Sequence, residues 1–275
     1  MEQQATRYRS PAEAYEAIFV PTMFGPLTRL TLGHADVRRG ARVLDLACGT
    51  GIVARNVAPL AGATGELVAV DLRPGMLATA SSRPRPDGAP IEWRQGDATA
   101  LDLPDAMFDL VICQQGLQFF PDRLAALAEM RRVLVDGGQV VLAVWRGLDH
   151  LPLFRELTEA EARHLEKLGL TYEELAAPFL MDSADELRDL LQGPGFRDVA
   201  ISEVLLDVRF PSAATFVEDV EIAYATVMPQ FIENPGAFRD YVEAVERDLR
   251  PIIERYRDGK GVRFSLKSHI ATARK

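Results

Sequence analysis

Cysteine is scarce in this chain: two residues, Cys48 and Cys113, among 275. Two cannot build a disulfide framework, and neither lies in a CxxC or Cys/His spacing of the kind that holds zinc. No metal site is expected. Basic residues are also in the minority, 31 Lys and Arg against 40 Asp and Glu, for a formal charge of −9. A nucleic-acid-binding face needs a basic patch, and no basic cluster is longer than Arg38-Arg39 or Arg131-Arg132. Nucleic acid is therefore not the expected partner. No run of 18 apolar residues occurs, and the opening MEQQATRYRS has no apolar signal-peptide core. The expectation is a cytoplasmic chain with no membrane partner.

What remains is ordinary for a globular protein: 48% hydrophobic and 26% charged residues. A chain this long buries roughly three quarters of its unfolded surface, so it needs no staple to fold. Ser10-Pro11 reads as a helix start, and Pro21 and Pro26 divide the apolar stretch 11–32 into short helices. From residue 41 short apolar runs alternate with helical stretches. The runs are RVLDLA (42–47), ELVAVDL (66–72), IEWRQGD (91–97), FDLVICQ (108–114) and QVVLAVW (139–145). Helices are expected at about 51–61, 74–81 and 122–134, with a short or absent one near 98–103. Runs apolar on both faces and separated by helices imply a parallel sheet covered on each side. After Trp145 come helical segments at 151–169 and 183–196, a long strand at 198–210, helices over 211–257 and a last strand at 261–275.

The turn VLDLACGTGIVAR (43–55) contains Gly49, Gly51 and Ala54 in a GxGxxG/A spacing, with Asp71 at the end of the second strand. That spacing fits any adenosine-containing ligand, dinucleotides included. Asp45 bears on the choice. A carboxylate facing the space over the turn would repel a pyrophosphate, at about 4 kcal/mol for each like-charged pair 4 Å apart at an effective dielectric near 20. It would attract an ammonium or a sulfonium. The plainer reading of Asp45 is a residue that caps the following helix. No Lys-Ser/Thr follows the glycines, which excludes a Walker-type phosphate loop.

Asp45-Leu46-Ala47-Cys48-Gly49-Thr50-Gly51 resembles the first motif of the class I S-adenosylmethionine-dependent methyltransferases, with Ala47 in place of the first glycine. VAVDLRPGML (68–77), QGDATALDLPDAMFDLVICQQGLQFFPD (95–122) and EMRRVLVDGGQVVLAVW (129–145) resemble later blocks of its small-molecule branch, which includes quinone and natural-product methyltransferases. The resemblance implies a seven-stranded, Rossmann-like doubly wound α/β sheet: five parallel strands and a carboxyl-terminal antiparallel edge pair, with helical lid insertions. It divides the chain into an amino-terminal lid (1–39), a cofactor core (40–147), a helical insertion (148–182), the rest of the sheet (183–210 and 261–275) and a substrate cap (211–260).

By the same resemblance Asp45, Ala47, Gly49 and Gly51 hold the methionine end of S-adenosylmethionine, and Asp71 takes the ribose hydroxyls. Leu72 and Met76 pack on the adenine, Asp97 and Ala98 read its edge, and Gln114 and Gln115 lie beside the sulfonium. The bland alternative for each acid is a turn or cap residue. The cysteines read as small buried residues, with redox sensing the less favoured role.

The implied reaction is methyl transfer to a small organic acceptor. The sequence does not say which atom is methylated, or whether the chain is a monomer or a homodimer. Tyr15, Phe19, Met23, Phe119, Trp145, Phe179, Phe216, Tyr224 and Phe231 are candidate pocket walls, and together they favour an apolar or aromatic acceptor. Aromatics so placed are also ordinary core. His150 is the candidate proton acceptor and Gln118 the candidate to orient the substrate; His34 lies near the lid, His164 reads as solvated and His269 as structural. Transfer without any base is an equal alternative. An NAD(P)-dependent oxidoreductase and a non-catalytic cofactor-binding module are the competing functions.

Overall fold

The computed structural model describes residues 8–165, 171–225 and 235–275 and falls into two compact units. One, the sheet unit, comprises Gly25–Arg146, Met181–Val204 and Ser268–Lys275. The other, the helical unit, is drawn from Met1–Phe24, Gly147–Leu180 and Leu205–Lys267.

The five alternating runs form the parallel strands β1 (Arg42–Leu46), β2 (Glu66–Asp71), β3 (Ile91–Gln95), β4 (Phe108–Gln114) and β5 (Leu134–Trp145). With β6 (Arg197–Phe210) and β8 (Gly261–Arg274) they take the order β3-β2-β1-β4-β5-β8-β6, and β8 runs antiparallel to β5 from Gln139↔Arg274 to Trp145↔Ser268. β6 and β8 both continue into the helical unit, where a two-residue strand β7 (Arg257–Asp258) pairs with the start of β8. The described sheet thus has eight strands rather than seven, because the tight turn at Gly259 lets two residues before it close a short ladder.

Side chains alternate across each strand, and here both faces are buried. On one face Leu44, Leu46, Val68, Val70, Val111, Leu142 and Val144 pack with α5 (Arg123–Val133) and α8 (Ala184–Gln192). On the other, Val43, Leu67, Ala69, Leu110, Ile112 and Val141 pack with α3 (Ile52–Ala61). Each of these valines, leucines and isoleucines contributes about 1.5–3 kcal/mol relative to exposure. α4 (Pro74–Ser82) follows β2, and no helix joins β3 to β4. β5 begins five residues earlier than its apolar run, because Leu134 pairs with Phe108 ahead of a bulge.

α1 (Pro11–Phe19) starts at Ser10, whose hydroxyl accepts the Glu13 N–H at 3.2 Å. α2 (Gly25–Leu32) belongs to the sheet unit. Thr31 Oγ1 donates to Gln114 Oε1 at 3.0 Å, Gln114 Nε2 donates to Thr28 Oγ1 at 3.1 Å, and Gln139 ties the chain after α2 through Asp36 N–H and the His34 carbonyl.

The helical unit holds α1, α6 (Pro152–Ala162), α7 (Tyr172–Ala176), α9 (Phe216–Tyr224) and α10 (Pro235–Ile253) among its described residues. Phe216 meets Phe210 edge-on with centroids 5.0 Å apart, and Phe264 stacks against Phe210 at 6.1 Å. Phe154 links Phe264 to Phe179. Phe19 meets Tyr224, and Tyr15 stacks on Phe24 at 5.0 Å.

Candidate active site

The carboxyl ends of β1, β2 and β4 converge around the glycine turn, at the edge where open α/β sheets bind ligands. Gly51 has φ +83 before α3, and a Cβ there would also collide with the indole of Trp93 on β3. Glycine is required twice over. Sequence reasoning missed Trp93; the lone bulky aromatic in a half-polar edge strand was its signal. Ala47 stands at φ +57, a left-handed conformation that costs a non-glycine residue about 1–2 kcal/mol. Its Cβ lies where Gly116 leaves room: a Cβ on Gly116 would come within 2.6 Å of it and 2.8 Å of Cys113 Sγ. The β4 exit therefore rests directly on the glycine turn, a second contact missed from sequence.

The turn uses its own amides. Cys48 N–H donates to the Val70 carbonyl at 3.0 Å, Gly51 N–H to the Cys48 carbonyl at 2.8 Å, and Gly49 N–H to Asp71 Oδ2 at 2.8 Å. Asp71 Oδ1 accepts the Arg73 N–H at 2.9 Å, so each carboxylate oxygen keeps a lone pair for a further donor. Burial raises the pKa of Asp71, and its two backbone bonds oppose the rise.

Asp45 lies near the end of β1, beside the turn. It is 2% exposed, and its Oδ2 accepts the Ala54 N–H of α3 at 2.8 Å. Burial pushes its pKa up to about 7, against that hydrogen bond. Through Oδ2 it anchors the helix, the capping role that the sequence also allowed. Asp71 for its part occupies the Gly49 amide. Gln114 bonds Thr28 and Thr31 of α2 through its amide, which ties the end of β4 to that helix.

Leu72, beside Asp71, is 63% exposed, while Met76 on α4 is buried. Asp97 Oδ1 accepts both the N–H and the hydroxyl of Thr99 at 2.8 Å, which lowers its pKa; Ala98 next to it is buried. Gln115, at φ +57, accepts the Trp145 N–H at 3.0 Å and the Gln118 amide at 2.7 Å. Burial raises both thiols, Cys113 to about 12, so neither is a reactive thiolate at neutral pH.

Phe119, 44% exposed, and Trp145, 6% exposed, belong to the sheet unit. Tyr15, Phe19, Met23, Phe179, Phe216 and Tyr224 belong to the helical unit, where Phe216 and Phe179 sit in the aromatic core; Phe231 lies outside the described residues. His150 is in the helical unit, in the short turn Leu148–His150. His34 lends its carbonyl to Gln139 after α2. His164, expected to be solvated, is 20% exposed at its side chain with Nε2 3.2 Å from Asp248 Oδ2. His269 Nε2 donates to the Asp182 carbonyl at 3.0 Å, and burial lowers its pKa, so it is a neutral structural residue. No group of three or more His, Cys, Asp or Glu among the described residues is arranged to hold a metal. None of their helices is long and apolar enough to cross a membrane.

Residues 43–138 match the family model described as a methyltransferase domain. The chain is 33% identical over 210 residues to the ubiquinone/menaquinone biosynthesis C-methyltransferase UbiE of Laribacter hongkongensis, covering 70% of this chain and 83% of that protein. It is 37% identical over 150 residues to the UbiE of Cupriavidus metallidurans, covering 52% of this chain and 61% of that relative's length. Among solved structures, Haemonchus contortus phosphoethanolamine N-methyltransferase 2, in complex with phosphomonomethylethanolamine and S-adenosylhomocysteine, superposes with a TM-score of 0.58 at 18% identity. That match covers 98% of this chain and 58% of the other and carries the fold alone. With the strand order, the glycine turn and the strand-end acids, these matches place the chain in the class I S-adenosylmethionine-dependent methyltransferases of the small-molecule kind.

Proposed function

We propose that this chain transfers a methyl group from S-adenosylmethionine to a small apolar or aromatic acceptor. The observation that carries the reading is the glycine turn closed on itself. Three of its N–H groups are bonded within the protein, one of them to Asp71, which leaves a site suited to a nucleoside diol and hostile to a pyrophosphate.

The donor set fits the cofactor. Asp71 has one lone pair on each oxygen for the vicinal ribose hydroxyls. Leu72 offers apolar surface and Met76 polarizable surface to the adenine, with Asp97 and Ala98 at its edge. Ala47, Gly49 and Gly51 bring backbone close to the methionine end, and Gln115 lies past β4 where the sulfonium is expected. When bound, S-adenosylmethionine would supply a methyl group made electrophilic by a positively charged sulfur, which would keep the bonding pair as the leaving group. The chain's part is to hold the acceptor in line, worth on the order of 7–11 kcal/mol, and to exclude water. An acceptor that must lose a proton needs a base, and His150 is our candidate.

The reading entails a small-molecule partner rather than nucleic acid, and a cytoplasmic setting. Calorimetry on the purified chain tests it. S-adenosylhomocysteine is expected to bind and NADH not to; the reverse pattern would reassign the enzyme class. A screen of phenols, quinones, amines and carboxylates with radiolabelled methyl donor then identifies the acceptor.

A further inference from the structure

Gln118 is 3% exposed, and its carboxamide oxygen has no hydrogen-bond partner among the described residues. The amide could in principle be turned over, which would make the orphan a nitrogen instead. Its neighbours forbid that. The Trp145 N–H donates at 3.0 Å to the amide oxygen of Gln115, and a backbone N–H has only one polarity. The other end of Gln115 agrees: Ser268 Oγ gives its hydrogen to the Val144 carbonyl at 2.7 Å and so receives Gln115 Nε2 at 3.4 Å. Gln115 therefore presents oxygen to Gln118 at 2.7 Å, and Gln118 must answer with its NH2 group. The remaining oxygen is fixed as a bare acceptor.

This oxygen belongs to the β4 exit, two residues after Gly116, which rests on Ala47 of the glycine turn. Bulk water does not reach it. A buried acceptor without a partner is destabilising, and a ligand that brings a hydrogen to it recovers that cost. Resting on the methyltransferase reading above, we infer that the Gln118 carboxamide oxygen receives an O–H or N–H of the methyl acceptor, making Gln118 a specificity-determining residue. Two lone pairs cannot share that contact. An acceptor that arrives already alkylated or deprotonated at the contacting atom is therefore rejected, as sites built around a hydrogen bond reject analogues that lack it. The acceptor is a hydroxy- or amino-bearing molecule that still carries its hydrogen at the contacting atom when it binds.

The test uses the full chain saturated with S-adenosylhomocysteine and two probes of equal shape class, 2-naphthol and 2-methoxynaphthalene, titrated by calorimetry. Wild type is expected to prefer the naphthol about tenfold. Gln118→Met, which keeps the length and removes the acceptor, is expected to bring the ratio to about one with S-adenosylhomocysteine affinity unchanged. A variant that loses S-adenosylhomocysteine binding is replaced by a wild-type measurement with 4-nitrophenol below and above its ionisation. There the neutral phenol is expected to bind and the phenolate to lose about tenfold. Equal binding of the two naphthalenes to wild type, binding of neither, a ratio unchanged in Gln118→Met, or phenolate as good as phenol overturns the inference while leaving the cofactor reading intact. Failure of S-adenosylhomocysteine to bind wild type overturns both.

Discussion

The two units bury carboxyl groups in opposite ways. In the sheet unit the acids meet backbone: Asp45 accepts the Ala54 N–H, and Asp71 accepts the Gly49 and Arg73 N–H groups. In the helical unit Glu161 on α6 and Glu221 on α9, 5% and 1% exposed, meet each other. They share a hydrogen bond, and among the described residues no backbone N–H or basic side chain contributes to either. Around them stand two tyrosines, Tyr224 on α9 and Tyr241 on α10; burial raises both, and the carboxyl pair raises them further. The difference teaches what a buried carboxyl needs. Backbone amides at a strand end or helix start oppose the rise that burial imposes without cancelling it at Asp45; another carboxyl opposes it only with a proton between them.

The sharpest way to break this contrast is through pH. Burial raises Glu161 from 4.5 to about 7 and raises Glu221 too, so folded protein holds protons that the unfolded chain has released. The pair's stability is fully present below about pH 4.5 and is lost as pH rises to about 7. Glu161→Gln, which keeps a donor toward Glu221 and cannot ionise, is expected to gain about 3 kcal/mol at pH 8 and almost nothing at pH 5, read by urea unfolding. An equal effect at both pH values would mean the two carboxyls do not share a proton.

The sheet unit supplies the next two effects. Asp71→Ala removes the acceptor for both ribose hydroxyls and is expected to weaken S-adenosylhomocysteine about 100-fold, near 2.7 kcal/mol, with the fold retained. Wild-type affinity in that variant would sink the ribose assignment. Asp45→Ala leaves the buried Ala54 N–H orphaned and is expected to cost about 2 kcal/mol of stability. Asp45→Asn keeps an acceptor oxygen and is expected to be nearly neutral at pH 6, since the carboxyl is itself largely protonated there. If Asp45→Asn instead costs as much as alanine, the aspartate is ionised and its charge matters after all.

The same contrast marks what could be read beforehand. The five parallel strands were legible because burial on both faces leaves continuous apolar runs, and the glycine turn because φ values of +55 and +83 need Gly49 and Gly51. Asp71 and Asp97 were legible from their positions at strand ends. Local pattern could not say where Asp45 points. A carboxylate four residues before a glycine is compatible with a ligand or with the Ala54 amide, and only the packed helix decides. The tie from Gln114 to α2 was hidden for a related reason: its partners, Thr28 and Thr31, lie more than eighty residues away. Glu161 sits in a stretch dense with Glu and Arg that reads as a solvated helix face, and its burial follows from the arrival of α9 sixty residues later. Long-range polar pairing leaves no periodic trace.

Ala47 gives the smallest effect and the finest probe of the sheet unit. At φ +57 an alanine carries a left-handed penalty of about 1–2 kcal/mol that glycine would not. Glycine adds back roughly 0.5–1 kcal/mol of unfolded-chain entropy and gives up the Cβ packed toward Gly116 and Cys113. Ala47→Gly is therefore expected to stabilise the chain by only about 0.5 kcal/mol, within reach of a careful denaturant titration. Its converse is more telling. If the Ala47 methyl positions the β4 exit by filling the space beside Gly116, the glycine variant keeps S-adenosylhomocysteine affinity yet loosens the turn that carries Gln115 and Gln118. That loosening is read as faster amide exchange at residues 115–118 in the cofactor complex. Exchange unchanged there would reduce Ala47 to a tolerated substitute for glycine, with the geometry of the β4 exit set by the strand alone.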